Sequence, residues 1–294
     1  MSAPIVVGYT ATDAGADALA LGARLAQATG SALEIVLVLP DESRSVITPP
    51  DAGYTQHVRD QAERWLAEAS EAVTAAHPRG AVRYGESFAA GLVNAAHEFG
   101  ARAIVIGAAN GGLRGRHRLG SVASELLHSS DVPVALAPEG FRQADTAVGL
   151  SRVTAAVGTR AGADVLLEES IALAAAASVP LRLVSLEPLD LPAGLDTGAV
   201  RVLSDTHAET VLERARETLP TGIASSATVA HGESIEDAVG DLEWLPDEIA
   251  VVGSSRLAQP RRLFLGTTAA KMLHELPVPL LVVPRTRSQE GPQS

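Results

Sequence analysis

Short continuous apolar runs alternate along the chain with longer stretches in which apolar residues recur every three or four positions. In the first half the runs are Ile5–Gly8, Leu33–Leu39, Val82–Tyr84, Ala103–Gly107 and Val134–Ala137. They are continuous rather than strictly alternating, the pattern of strands buried on both faces of a parallel sheet. Between them Ala18, Leu21, Leu25 and Ala28 fall on one helical stripe. A second stripe, Val58, Ala62, Trp65, Ala69 and Val73, places Trp65 in a core. Ser87 can cap a helix that runs to Phe99 and stops at Gly100. Strands alternating with helices predict right-handed crossovers and an open, doubly wound parallel sheet of five strands. In such sheets ligands sit outside the carboxyl ends of the strands, where the strand order switches. The loops after the first and fourth strands are therefore the places to look for chemistry.

The whole pattern occurs twice. Ala14-Gly15-Ala16-Asp17 returns as Ala161-Gly162-Ala163-Asp164, and Gly85-Glu86-Ser87 returns as Gly232-Glu233-Ser234. Ile104-Val105-Ile106-Gly107 returns as Ala250-Val251-Val252-Gly253, Gly120-Ser121 as Gly266-Thr267, and His128 as His274. Val132-Pro133-Val134 through Pro138 returns as Val278-Pro279-Leu280 through Pro284. All six matches keep an offset of 146 or 147 residues, which marks a tandem duplication. The expected domains are 1–138 and 152–284, with a linker over 139–151 and a polar, flexible tail over 285–294.

Composition narrows the function. At 294 residues the chain is long enough for two domains, and 46% hydrophobic with 20% charged residues describes a globular protein. There is no cysteine, hence no disulfide, thiolate metal site or thiol nucleophile. A net charge of −12 disfavours nucleic acid and acidic membranes as partners. The N-terminus has no basic region before its short apolar run, and no stretch is long enough to span a bilayer, so the expected location is the cytoplasm. Lys271 is the one lysine of the chain.

After Gly107 the chain runs through Asn110, Gly111, Gly112, Arg114, Gly115, Arg116, His117 and Arg118 to Gly120-Ser121, where a helix pattern begins. Glycines let a backbone approach a ligand and expose N–H groups. A helix start adds free N–H groups and a dipole that favours an anion. Ser121 and Ser124 contribute hydroxyls, and three arginines bring positive charge to an acidic chain. The residues describe a phosphate cradle; a solvated glycine loop is the bland reading, with His117 as a phosphate contact or a solvated bystander.

The spacing Gly107-x2-Asn110-x9-Gly120-Ser121 resembles the nucleotide motif of the universal stress protein family, Gly-x2-Gly-x9-Gly-Ser/Thr. The strand-1 exit at Tyr9-Thr10-Ala11-Thr12, the Tyr84-Gly85-Glu86-Ser87 turn and the Val-Pro pairs before the last strands fit the same pattern, twice over nearly the whole chain. The resemblance implies two tandem Rossmann-like domains of the adenine nucleotide alpha-hydrolase-like type. It implies that they pair through their last strands, Val134–Ala137 against Leu280–Val283. It implies ATP as ligand, with Mg²⁺ held through the phosphates. Adenine would lie near the strand-1 loop and the phosphates on the strand-4 loop. The residues carried over are Tyr9, Thr10, Ala11, Val38, Gly107, Asn110, Arg114, Gly120, Ser121 and Val122. A degenerate second set is Gly253, Arg256, Gly266 and Thr267, with Arg261 and Arg262 nearby.

Three positions depart from the family pattern. Thr10-Ala11-Thr12 stands where binding members commonly have an Asp-Gly-Ser-type stretch, so no carboxylate is offered there. Asn110 replaces the second glycine of the motif. In the second repeat Val157, or Gly158 with a one-residue slip, meets Thr10, and Arg256 meets Asn110. One site is expected, in residues 1–138. A P-loop, a dinucleotide fingerprint, a zinc-protease helix and a nucleophile elbow are all missing. His128 and His274 suit the negative end of a helix, and Trp244 a core. Nucleotide binding as a stress-response signal, with at most slow hydrolysis and a possible homodimer, is the leading expectation. A scaffold without nucleotide is its alternative, and an enzyme of the wider group the third reading.

Overall fold

The computed structural model describes residues 2–41, 52–73, 77–109, 116–143, 149–158, 163–188, 208–254, 263 and 265–284. Strands β1 (Ser2–Gly8), β2 (Ser31–Pro40), β3 (Arg79–Gly85), β4 (Ala103–Gly107) and β5 (Val134–Ala137) form the first half of the sheet. Strands β6 (Arg152–Ala156), β7 (Leu181–Pro188), β8 (Ser225–Gly232), β9 (Glu248–Gly253) and β10 (Leu280–Val283) form the second. The helices are α1 (Asp13–Thr29), α2 (Ala52–Glu71), α3 (Phe88–Phe99), α4 (Ser121–Ser129), α5 (Ala163–Ala177), α6 (208–217), α7 (Ile235–Gly240) and α8 (Thr267–Glu275).

All ten strands lie in one sheet in the order β3-β2-β1-β4-β5-β10-β9-β6-β7-β8. Every neighbouring pair is parallel except β5 and β10, which meet antiparallel. The expected pairing through the last strands is therefore present. Its register joins Leu136 to Leu280, Ala135 to Leu281 and Val134 to Val282. At the repeat offset of 146 residues, Ala135 and Leu281 are each other's counterparts. The pseudo-two-fold axis thus passes through that pair.

The continuous apolar runs are explained by helices on both faces. One core layer holds Leu21 and Leu25 of α1, Ala62 and Leu66 of α2, Leu166 and Leu173 of α5, and Leu212 of α6. The other holds Leu92 of α3, Leu126 and Leu127 of α4, Val239 of α7, and Met272 and Leu273 of α8. Each layer draws on both halves, so the core is continuous across the seam between them. Helix α1 also crosses the seam by charge. The guanidinium of Arg24, 1% exposed, pairs with Asp247 and lies 4.9 Å from the Phe141 ring. Asp17, also 1% exposed, accepts from the N–H groups of Gly140 and Arg142 and pairs with the Arg142 guanidinium. These bonds fix the segment after β5 against α1. Ser87 caps α3 as expected, and Gly100 at φ 61° ends it.

One helix-stripe expectation is corrected. Trp65 is 37% exposed on α2, because the buried line of that helix is Ala62, Leu66 and Ala69. Trp65 flanks that line rather than belonging to it. Trp244 is part-buried as expected, donating from Nε1 to the Val239 carbonyl at 3.0 Å.

Candidate functional site

In the first half the strand order reverses between β1 and β4, since β2 and β3 lie on one side of β1 and β4 and β5 on the other. A doubly wound sheet opens a crevice at such a switch, above the carboxyl ends of the strands. Three close contacts build its floor. A Cβ added to Gly15 would lie 1.9 Å from the carbonyl oxygen of Thr10, and one on Gly107 would lie 2.0 Å from that of Ala14. One on Gly120 would lie 3.1 Å from the Ala109 Cβ. The first turn of α1 therefore sits on the ends of β1 and β4, and the start of α4 sits against the residue that follows β4.

Around this floor the expected residues take their places. Thr10 and Ala11 follow β1, Thr10 half-buried and Ala11 exposed. Val38 is near the end of β2 and 8% exposed. Gly107 ends β4, Gly120 caps α4, and Ser121 and Val122 open it. Tyr9 extends the ladder by donating its N–H to Val36 O at 2.9 Å, while its ring packs against the α1–α2 core layer. Burial and the Glu68 carboxylate raise the Tyr9 phenol above its usual pKa. Asn110, Arg114 and Arg256 lie outside the described residues, as do Arg261 and Arg262.

The helix starts differ in a way that bears on ligand chemistry. Thr12 caps α1 by accepting from Gly15 N–H, Ser87 caps α3 by accepting from Ala90 N–H, and Ser234 caps α7 in a capping box with Asp237. α4 has no side-chain cap bond at Gly120, and its first backbone bond is Ser124 N–H to Gly120 O at 2.9 Å. The first turn of α4 thus has no side-chain cap bond at its N-cap, because Gly120 has no side chain to accept one. Such a helix end favours an anion. The loop is closed at its base by Ala109 N–H to Arg118 O at 2.8 Å.

The second half keeps the frame and loses a side chain. Val157 N–H donates to Val184 O at 2.8 Å, the bond that Tyr9 makes to Val36. Val157 is thus the counterpart of Tyr9, and Gly158 that of Thr10. Gly158 therefore has no side chain where the first half has the Thr10 hydroxyl. Gly253 ends β9, Gly266 caps α8 without a side-chain bond, and Thr267 opens that helix. Among the described residues the nearest neighbour of a Cβ added to Gly253 is the Leu166 Cβ, at 4.0 Å.

Two loop residues do something the sequence reading did not assign. His117 is 5% exposed and donates from Nε2 to the Val278 carbonyl at 2.8 Å. A carbonyl only accepts, so Nε2 carries the proton. Burial lowers the His117 pKa to about 4, partly offset by that bond. It is neither a phosphate ligand nor a solvated bystander. Arg116 donates to the Glu275 carbonyl and pairs with its carboxylate at 3.0 Å. A signal for His117 was present in the sequence: its counterpart at the repeat offset is Leu263, which is 1% exposed.

Among the described residues no group of three metal-ligating side chains occurs, and no helix is long and apolar enough to cross a membrane.

The universal stress protein family model matches residues 1–138 and again residues 149–284. The chain belongs to the universal stress protein family. A universal stress protein of Mycobacterium tuberculosis is 26% identical over 298 aligned residues, covering 95% of this chain and 99% of its own. Among solved structures, a universal stress protein of Archaeoglobus fulgidus superposes with a TM-score of 0.66 at 19% identity, over 97% of this chain and all of its own. A putative universal stress protein of Pseudomonas aeruginosa gives 0.59 at 17% identity, over 96% and 93%. These likenesses agree with the tandem α/β fold.

Proposed function

We propose that the chain binds ATP or a related adenine nucleotide in the crevice of its first half, and that binding serves as a signal in a cytoplasmic stress response. The observation that carries this reading is the start of α4. It stands at the strand switch without a side-chain cap, as α8 does in the second half, whereas α1, α3 and α7 are each capped by a hydroxyl. Of the two open helix starts, only that of α4 has a hydroxyl, Thr10, at the strand-exit position that Gly158 fills in the second half. The phosphates would take the N–H groups of that turn and the Ser121 hydroxyl, with Arg114 supplying charge. The base and ribose would lie along Thr10, Ala11 and Val38. Mg²⁺ would be held by the phosphates and water. Gly158 at the second strand exit supports one nucleotide per chain. Domains over 1–138 and 152–284 would then divide the work unequally.

A scaffold reading has one observation in its favour. The Thr10 hydroxyl is already engaged with that of Thr12 at 2.9 Å. One experiment separates the two. Protein denatured directly after purification is analysed by mass spectrometry for released nucleotide, and stripped protein is titrated calorimetrically with ATP and Mg²⁺. The expected result is one equivalent per chain. No released nucleotide and no heat at millimolar ATP would sink the nucleotide reading and leave the scaffold.

A further inference from the structure

Each glycine loop ends on the opposite half of the molecule. Helices leave the carbonyls of their last turn without partners. At the end of α8 the Glu275 carbonyl receives the Arg116 guanidinium, which comes from the loop of the first half. A cation at that end also suits the helix dipole. Three residues on, the Val278 carbonyl receives His117. At the end of α4 the arrangement is returned by backbone groups. Leu265 N–H donates to Leu127 O at 3.1 Å, and Leu263 N–H donates to Ser130 O at 2.6 Å. Leu263 and Leu265 are both buried. The segment from Arg116 to Leu119 is therefore held between its own strand ends, through Ala109 and Glu139 N–H, and the other half, through Glu275 and Val278.

This segment leads directly into Gly120 and the open turn of α4. We infer that the second half acts as the anchor of the first half's phosphate loop: Arg116 and His117 are positioning residues, and nucleotide affinity in the first crevice is coupled to the contact between the halves. The inference rests on the reading that the crevice takes an adenine nucleotide. It also gives the second half, with its mute strand exit, a role that needs no ligand of its own. Coupling of this kind is reciprocal, so nucleotide must strengthen the contact as much as the contact strengthens nucleotide binding.

The test uses Glu275→Ala and His117→Leu in the full chain, with ATP affinity read by calorimetry and amide exchange read without ligand at Ala109 and Glu139. The signs of the substitutions make it specific. Glu275→Ala removes a negative charge, which by Coulomb attraction alone would tighten an anion. His117→Leu removes no charge at pH 7.5, and places there the residue that the repeat carries at 263. Both are expected to weaken ATP three- to tenfold and to speed exchange at Ala109 and Glu139. Circular dichroism and a single cooperative melt check the fold, and the Glu275 side chain is exposed enough that its removal leaves the core intact. If all three proteins bind ATP equally, the coupling is overturned whatever the exchange shows. If wild-type protein binds no ATP, the nucleotide reading falls and the coupling with it. Unchanged exchange at both amides overturns the anchor in either case.

Discussion

A Cβ placed on Gly107 would lie 2.0 Å from the carbonyl oxygen of Ala14. The glycine at the end of β4 is thus required by the first turn of α1, before any ligand is considered. Among the described residues its repeat counterpart Gly253 meets nothing closer than Leu166, at 4.0 Å. Gly107→Ala must displace backbone and is expected to cost about 1–3 kcal/mol, as overpacking does. Gly253→Ala should stay within about 0.5 kcal/mol. Urea unfolding of the two variants checks this, and equal effects would show that α1 does not press on the strand end.

His117 ties stability to pH. Its pKa in the folded protein is lowered to about 4 from the usual 6.5. Between those values the unfolded chain binds a proton that the folded one excludes. The stability present above pH 6.5 is therefore lost as pH falls towards 4, on the order of 3 kcal/mol in all. Carboxylates titrate in the same range, so the readout is a difference. The gap in melting temperature between wild type and His117→Leu should shift in favour of the variant as pH drops from 7 to 4.5. A gap that stays constant would mean His117 is not buried as a neutral ring.

The pairing of the halves rests on β5 and β10. Leu136 is 2% exposed and lies opposite Leu280, itself fully buried. A carboxylate there would sit in an apolar core layer and carry a desolvation penalty of several kcal/mol. Leu136→Asp is expected to lower stability by more than about 3 kcal/mol. It should also enlarge the molecule in small-angle scattering as the two halves separate. Wild-type dimensions and stability in that variant would contradict the register.

The sheet was legible because its signal is periodic and repeated. Buried parallel strands read as apolar runs, and Val134–Ala137 recurring as Leu280–Val283 announced the central pair. Ser87 and Gly100 were legible because caps are local chemistry. What the sequence hid is set by contacts between distant segments. The Arg116-His117-Arg118 run looks like a basic loop, yet Arg116 and His117 are engaged by residues 159 and 161 positions away. Trp65 misled because one stripe of a helix is wider than its buried line. The slip that sets Gly158 opposite Thr10 was visible as an alternative, and only the ladder bond of Val157 decides it.

The most discriminating substitution at the candidate site is Gly120→Asp. Gly120 has φ −91° and ψ 177°, extended backbone that any residue adopts. An aspartate there can cap α4 with its own carboxylate, as Thr12 and Ser87 cap α1 and α3. Its negative charge also suits the helix start. Set against this is a Cβ contact of 3.1 Å with Ala109, which a shift of a few tenths of an ångström relieves. Stability should hold within about 0.5 kcal/mol, since a good cap exceeds glycine by only a few tenths. A phosphate, however, would lose both its N–H donors and its favourable field. ATP affinity is expected to fall at least about tenfold, roughly 1.4 kcal/mol. Gly266→Asp makes the same change at the start of α8 and should leave ATP affinity unaltered, because only the first half is expected to bind. Calorimetric titration of both variants beside wild type provides the comparison. Loss of binding in the Gly266 variant alone would place the nucleotide in the second half, and undiminished binding in both would place it away from either helix start.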